Sequence, residues 1–280
     1  MSHIQLGKYN QLEVVKEVDF GMYLDGGEDG EILLPKRYVP EGCKPGDMLN
    51  VFIYLDMDER LVATTLHPYV QVGEFACLEV AWVNQFGAFL DWGLMKDLFV
   101  PFREQKMKMV KGNRYIVHVH LDEESYRIVA SAKVERYLSK ERPVYRAGEE
   151  VEVLVWQKTD LGFKVIADNR FSGMLFHNEI FQTVEVGMKL KAYVKHVRED
   201  GKIDLQLQPG GTRKVDDFTE VLLQYLKDHD GYSSIHDKTD AETIYNTFGV
   251  SKKTFKKAVG DLYKKHLIVL EEEGIRLLGE

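Results

Sequence analysis

Ala76-Cys77-Leu78-Glu79-Val80, running on to Phe86-Gly87-Ala88-Phe89-Leu90, alternates side chains of opposite character and then turns at a glycine between aromatics. Alternation with period two marks a strand with one buried face, and the glycine permits a tight turn into the next strand. The same arrangement occurs twice more. Leu12-Glu13-Val14-Val15 leads to Phe20-Gly21-Met22-Tyr23-Leu24, and Val151-Glu152-Val153-Leu154-Val155 leads to Leu161-Gly162-Phe163-Lys164-Val165. A period of about 70 residues is too long for a solenoid repeat and suits a chain of small barrels.

Each repeat continues in the same order. A short apolar strand follows, at Ile32-Leu33-Leu34-Pro35, Leu98-Phe99-Val100-Pro101 and Gly173-Met174-Leu175-Phe176-His177. Glycine turns at Gly46, Gly112 and Gly187 then introduce long alternating strands. An acidic turn and a last strand close each unit, ending near Thr64, Ala130 and Gln206. Five short strands in this order suit a closed barrel of the OB type, because closure removes the exposed edges of so small a sheet.

After Gln208-Pro209-Gly210-Gly211-Thr212, read as a linker, the period becomes helical. Asp216 or Asp217 can cap a helix carrying Phe218, Val221, Leu222, Tyr225 and Leu226 on one stripe. Asp240 can cap a second with Ile244, Tyr245 and Phe248, and Gly249 turns the chain. Ser251 begins a third helix, running to Lys265, with Phe255, Val259, Leu262 and Tyr263 on its apolar side. Leu267-Ile268-Val269-Leu270, Glu271-Glu272-Glu273-Gly274 and Ile275-Arg276-Leu277-Leu278 then read as a hairpin in which Gly274 can take positive φ. Helix-turn-helix plus hairpin is a winged helix. The expected fold is multidomain and mainly β with an α+β C-terminus. Its OB barrels span 1–67, 68–142 and 143–209, and the winged helix spans 213–280.

Bulk properties agree with this division. A chain of 280 residues is long enough for several cores, and 44% hydrophobic with 29% charged residues is a globular balance. No apolar run approaches the roughly 20 residues of a membrane span, and the first twenty residues lack a signal-peptide pattern, so a cytoplasmic protein without membrane contact is expected. Cys43 and Cys77 form no metal or disulfide motif and are expected as buried thiols. A net charge of −8 means that any nucleic-acid site must be a local patch.

The Phe86-Gly87-Ala88-Phe89 turn after a valine-rich strand resembles the RNA-binding OB domain named after ribosomal small-subunit protein S-one. The family's Gly-Leu-Val-His-Ile-Ser-like strand end departs here to Leu98-Phe99-Val100-Pro101-Phe102-Arg103 in module two and to Gly173-Met174-Leu175-Phe176-His177-Asn178-Glu179 in module three. Module one departs furthest, with an acidic loop at Gly26-Gly27-Glu28-Asp29-Gly30. Three such barrels before a winged helix, with the stretches Leu33–Lys36 and Phe248–Lys257, resemble the bacterial conserved virulence factor B (YitL-like) family. That resemblance implies a non-enzymatic RNA-binding regulator of gene expression, with single-stranded RNA as partner and no cofactor.

Single strands are held by cationic grooves with aromatic faces for base stacking. Module two is densest, with Trp82, Phe86, Phe89, Trp92, Phe99 and Phe102 near a basic run from Lys96 to Arg114. By the S-one resemblance, Phe86 and Phe89 face RNA, and Phe102 and Arg103 lie near the family's histidine. The matching candidates are Phe20 and Tyr23 in module one, followed by Lys36 and Arg37. In module three they are Phe163, Lys164, Phe176 and His177, with Lys195 and Arg198 on a basic later strand. On the third helix Lys252, Lys253, Lys256 and Lys257 share one side, suited to backbone contact because no arginine, asparagine or glutamine accompanies them for bidentate base reading.

His118 and His120 share a strand face but lack further ligands at metal-binding spacing, so both are read as structural and no metal is expected. No nucleophile motif, paired acids or phosphate-cradling loop is evident. Two other readings stay open on the residues alone: a DNA-binding regulator using the winged helix, and a protein-interaction scaffold. A nuclease is a remoter class.

Overall fold

In the computed structural model of the protein, residues 4–177, 180, 182–208 and 212–278 are described, the side chains of 212–217 excepted. The linker residues Pro209, Gly210 and Gly211 and the strand-end residues Asn178 and Glu179 lie outside them. Three closed five-stranded barrels are followed by three helices and a three-stranded sheet. The chain divides into two compact units, one holding the first two barrels and the other the third barrel and the helical region.

The first barrel comprises β1 (Tyr9–Val18), β2 (Gly21–Asp25), β3 (Glu31–Pro35), β4 (Met48–Leu55) and β5 (Leu61–Thr64). Its strand order is β1-β2-β3-β5-β4, closed by β1 against β4. The parallel contact of β3 with β5 pairs Leu33 with Val62. The second repeats this order with β6 (Phe75–Val83), β7 (Gly87–Asp91), β8 (Leu98–Pro101), β9 (Arg114–Leu121) and β10 (Ile128–Ser131). The third uses β11 (Glu150–Thr159), β12 (Gly162–Ala167), β13 (Phe171–Phe176), β14 (Lys189–Val197) and β15 (Ile203–Gln206).

One device recurs in all three. A Cβ on Gly21, Gly87 or Gly162 would stand 2.1, 2.3 or 2.0 Å from the carbonyl oxygen of Leu34, Val100 or Leu175 in the neighbouring strand. Only glycine lets the second and third strands of each barrel approach so closely.

Barrels one and two share apolar contacts beyond their separate interiors. β4 is buried on both faces: Val51 and Ile53 point into barrel one, while Phe52 and Tyr54 join the core cluster of barrel two. The Phe52 ring meets Trp92 edge-on at 5.7 Å. Simple alternation fails here because a second barrel covers the outer face. β9 is likewise covered, since the one-turn helix Val134–Arg136 and Tyr137 lie near its outer side. His118 is buried there, stacked on Tyr137 at 4.1 Å and near Phe75 at 4.6 Å. Cys43 and Cys77 are half-buried rather than fully enclosed, each free.

The helical region holds α1 (Thr212–Asp228), α2 (Ala241–Phe248) and α3 (Lys252–Lys264). Asp240 caps α2 by accepting from the Thr243 amide at 2.8 Å, and Ser251 caps α3 by accepting from the Thr254 amide. Gly249 ends α2 with φ of 66°. Phe218, Leu222, Leu226, Ile244, Phe255, Val259 and Leu262 form the core.

Four expectations are corrected. α1 starts at Thr212, so Asp216 and Asp217 lie within it rather than at its cap. No glycine or proline stands between Gly211 and Phe218 to stop the helix extending backward. Val221 and Tyr263 are exposed, at the edges of stripes narrower than the residue pattern suggested. The hairpin, β17 (Ile268–Glu271) with β18 (Gly274–Leu277), is joined by a two-residue strand, β16 (Tyr232–Ser233). Gly274 is absent from the positive-φ glycines; it is required because a Cβ would stand 2.5 Å from the Tyr232 hydroxyl and 2.6 Å from the Ser233 carbonyl oxygen.

Candidate nucleic-acid interface

Each barrel carries the same irregularity on its first strand. Register slips between Val14 and Lys16, between Val80 and Trp82, and between Val155 and Gln157, leaving Val15, Ala81 and Trp156 as the extra residues. A bulge of this kind reverses the inside-outside parity of the residues after it. Leu78 and Val80 point inward; Trp82, which has their parity, is turned out.

The bulge builds a row of rings across three strands of barrel two. Trp82 pairs with Phe89, and Phe89 with Phe99. The Trp82 and Phe89 rings stack at 3.7 Å with 3° between planes, and Phe89 lies 4.9 Å from Phe99. Trp82 is 42% exposed, and its Nε1 donates to Asp97 Oδ2 at 2.7 Å, fixing the indole plane. Phe86, 64% exposed, stands at the turn, and Phe102 projects from the one-turn helix after β8, whose amide bonds to the Phe86 carbonyl. Trp82, Phe86, Phe89 and Phe99 line a groove of about 800 Å³ together with Met57 from barrel one and Met95, whereas Phe102 lies outside its lining.

The cations of this groove are engaged. Arg103 donates to Asp122 and also faces Glu124 at 3.8 Å, and Arg127 pairs with Glu59 at 2.5 Å. Lys96 donates to the Asp56 carbonyl at 2.7 Å, and burial lowers its pKa. Backbone hydrogen bonding by Ser125, aided by Arg103, holds the Asp122 carboxyl below its ordinary range. Of the six cations between Lys96 and Arg114, only Lys96 and Arg103 line the groove. Its aromatic faces are therefore its main resource for a ligand.

The equivalent rows of the other barrels differ. In barrel one Lys16 occupies the Trp82 position and lies over the Tyr23 ring at 4.9 Å, while pairing with Glu31. Phe20 is exposed and meets Tyr23 edge-on at 6.2 Å; Lys36 and Arg37 follow on the surface. In barrel three the row reads Gln157, Lys164, Met174 and Asp204, without a ring. Phe163 takes the inward position, 7% exposed, so it offers no open face to a base. The reason is register: Phe163 matches Met22 and Ala88, and Lys164 matches Tyr23 and Phe89. Phe176 is half-buried with the Arg198 guanidinium 5.6 Å from its centroid, and His177 is exposed within 3.1 Å of the Thr159 carbonyl. Arg198 is held by Asp204 at 2.7 Å, and that bond raises its pKa. Lys195 is exposed.

On α3, Lys253, Lys256 and Lys257 are exposed, whereas Lys252 is half-buried and reaches the Lys238 carbonyl at 3.2 Å. Trp82 and Phe99, named from sequence in the aromatic-dense stretch of module two but not assigned to the RNA face, complete the barrel-two row. Phe99 was legible, since it alternates with inward Leu98 and Val100; Trp82 was hidden by the bulge. Among the described residues no group of three or more His, Cys, Asp or Glu is placed to hold a metal ion.

Residues 6–66 match the S1 domain model, and residues 220–277 match that of the CvfB-like winged helix domain. The chain joins an S1 domain to a CvfB-like winged helix. Both are nucleic-acid-binding domain types. The S1 match falls on barrel one, the module expected from its acidic loop to depart furthest from the S-one pattern, which corrects that expectation. The chain resembles the conserved virulence factor B family over nearly its whole length. It is 28% identical to the uncharacterized protein YitL of Bacillus subtilis across 95% of this chain and 91% of that one. It is 23% identical to conserved virulence factor B of Staphylococcus aureus, across 97% and 94%. A multidomain protein with nucleic acid binding domains from Streptococcus pneumoniae is 26% identical, covering 98% of both chains with a TM-score of 0.44. No described helix is long and apolar enough to cross a membrane.

Proposed function

We propose that this protein binds single-stranded RNA and acts, without catalysis, in post-transcriptional control of gene expression in the bacterial cytoplasm. The observation that carries the reading is the outward row of Trp82, Phe89 and Phe99, with Phe86 at its end, on an OB barrel. Flat rings accept bases whatever their sequence, at about 1–3 kcal/mol per stacked base. Duplexes keep their bases paired and stacked internally, so this surface favours single strands.

Barrel one adds Phe20 and Tyr23, and the lysines of α3 supply backbone contact. Barrel three contributes Lys164, His177, Lys195 and Arg198 as polar contacts. Modules of modest affinity joined in one chain raise each other's effective concentration. The test is an equilibrium titration of the full chain with labelled single-stranded RNA and with duplex DNA of equal length at one salt concentration. Tighter binding of RNA supports the reading. Equal or tighter binding of duplex DNA would favour a transcription regulator, and no binding of RNA at low salt would favour a protein scaffold.

A further inference from the structure

Barrel one supplies part of the groove that the ring row of barrel two lines. Its β4–β5 turn brings Met57 and Glu59 into one lining with Trp82, Phe86 and Phe89. The turn is stapled from within, because the Asp56 carboxylate accepts from the Asp58 and Arg60 amides at 2.9 and 3.0 Å and from the Arg60 guanidinium at 2.8 Å. Two bonds then tie it to barrel two: Lys96 Nζ donates to the Asp56 carbonyl at 2.7 Å, and Arg127 holds Glu59 at 2.5 Å. Met57 stands in the chain between these two anchors. At its base the turn grows out of β4, whose Phe52 and Tyr54 belong to the core cluster of barrel two.

Met57 is nevertheless 75% exposed. A single exposed apolar side chain is ordinary on a protein surface, but several converging on one groove mark a binding surface. Met57, Met95, Trp82 and Phe86 are all exposed and all line this groove. Burial of their apolar area is left for a ligand to complete.

The lining indicates what that ligand is. The Trp82 and Phe89 rings lie parallel within 3°, and a flat heterocycle extends such a stack as an apolar peptide segment does not. Four carboxylates and three cations line the groove, and the cations are already engaged, so an uncharged ring enters while phosphates stay at the rim. We infer that the β4–β5 turn of barrel one is the second wall of the barrel-two site, with the Met57 thioether packing on the base that stacks on Trp82. The site then belongs to the pair of barrels, and barrel one takes part through this turn as well as through its own Phe20 and Tyr23. The inference rests on the reading that the chain binds single-stranded RNA.

The test titrates the full chain and its Met57→Ala, Met57→Leu, Trp82→Ala and Met57→Ala/Trp82→Ala variants with labelled single-stranded RNA at about 0.1 M salt. Met57 and Trp82 are exposed, so melting temperatures close to that of the wild type are expected and serve as the control for folding. Met57→Ala should weaken RNA binding by about five- to tenfold, and Met57→Leu, which keeps an apolar side chain of similar volume, by less than about twofold. In the double variant, loss of Met57 should cost less than about twofold beyond Trp82→Ala, because both side chains serve one base. Full multiplication of the two single losses overturns the inference. So does a Met57→Ala variant that binds like the wild type while Trp82→Ala is weakened, an outcome that leaves the proposed function standing. RNA affinity unmoved by either single change overturns the inference and assigns the groove to another occupant, such as an apolar peptide. Failure of the wild-type chain to bind RNA overturns the proposed function and the inference with it.

Discussion

Replacing Trp82 by alanine removes the exposed ring of the barrel-two row and leaves Phe89 without its stacking partner. A lost stacking contact of about 1–3 kcal/mol corresponds to a roughly 5- to 150-fold weaker dissociation constant for single-stranded RNA, read by titration of the variant. Phe163→Ala is the contrasting change: removing a buried ring should cost about 3–5 kcal/mol in denaturant unfolding, with RNA affinity of the folded protein little altered. His118 makes a third case. Burial first, and His120 second, lower its pKa from 6.5 to about 4. The unfolded chain therefore takes up a proton near pH 6.5 that the folded chain resists until about pH 4. Stability is complete above the upper value, declines as pH falls toward the lower one and levels off beneath it, by on the order of 3 kcal/mol. Denaturation measured at pH 7 and pH 4.5 should show that decline reduced in His118→Phe, which keeps a ring against Tyr137 and Phe75.

Among elements, the bulged first strand and the glycine approach recur with barrel closure and together place the site. Gly87→Ala would push a Cβ against the Val100 carbonyl, a backbone atom that cannot swing aside, and should destabilise the protein by about 1–3 kcal/mol on thermal or urea unfolding. The strands themselves were legible, because alternation and the glycine turns have a period that survives in every repeat. The caps at Asp240 and Ser251 were legible for the same local reason. What alternation missed has one kind of cause: an extra or covering residue that changes which side is inside. Ala81 turned Trp82 outward, and barrel two covered Phe52 and Tyr54; Phe163, by contrast, shares the parity of inward Val165, so its burial was legible by alternation. The role of Gly274 depended on β16, a strand too short to carry a period of its own.

For the whole molecule, an acidic chain of net charge −8 binds a polyanion only by separating its resources. In barrel two the groove cations are held by Asp122, Glu59 and the Asp56 carbonyl, so under the proposed function that site depends on bases stacking on its rings. Under the same proposal the exposed lysines of α3 would meet phosphate. Binding of single strands releases counterions with a slope of about −0.7 per phosphate contact. Lys253→Glu/Lys256→Glu/Lys257→Glu should flatten the slope of log affinity against log salt by about 2, whereas Trp82→Ala should lower affinity at every salt concentration without changing the slope. The most direct test is a photochemical crosslinking map of single-stranded RNA on the intact protein, read by mass spectrometry of the crosslinked peptides. The account predicts adducts on Trp82, Phe86 and Phe89; adducts confined to surfaces away from barrel two, with that row untouched, would contradict it.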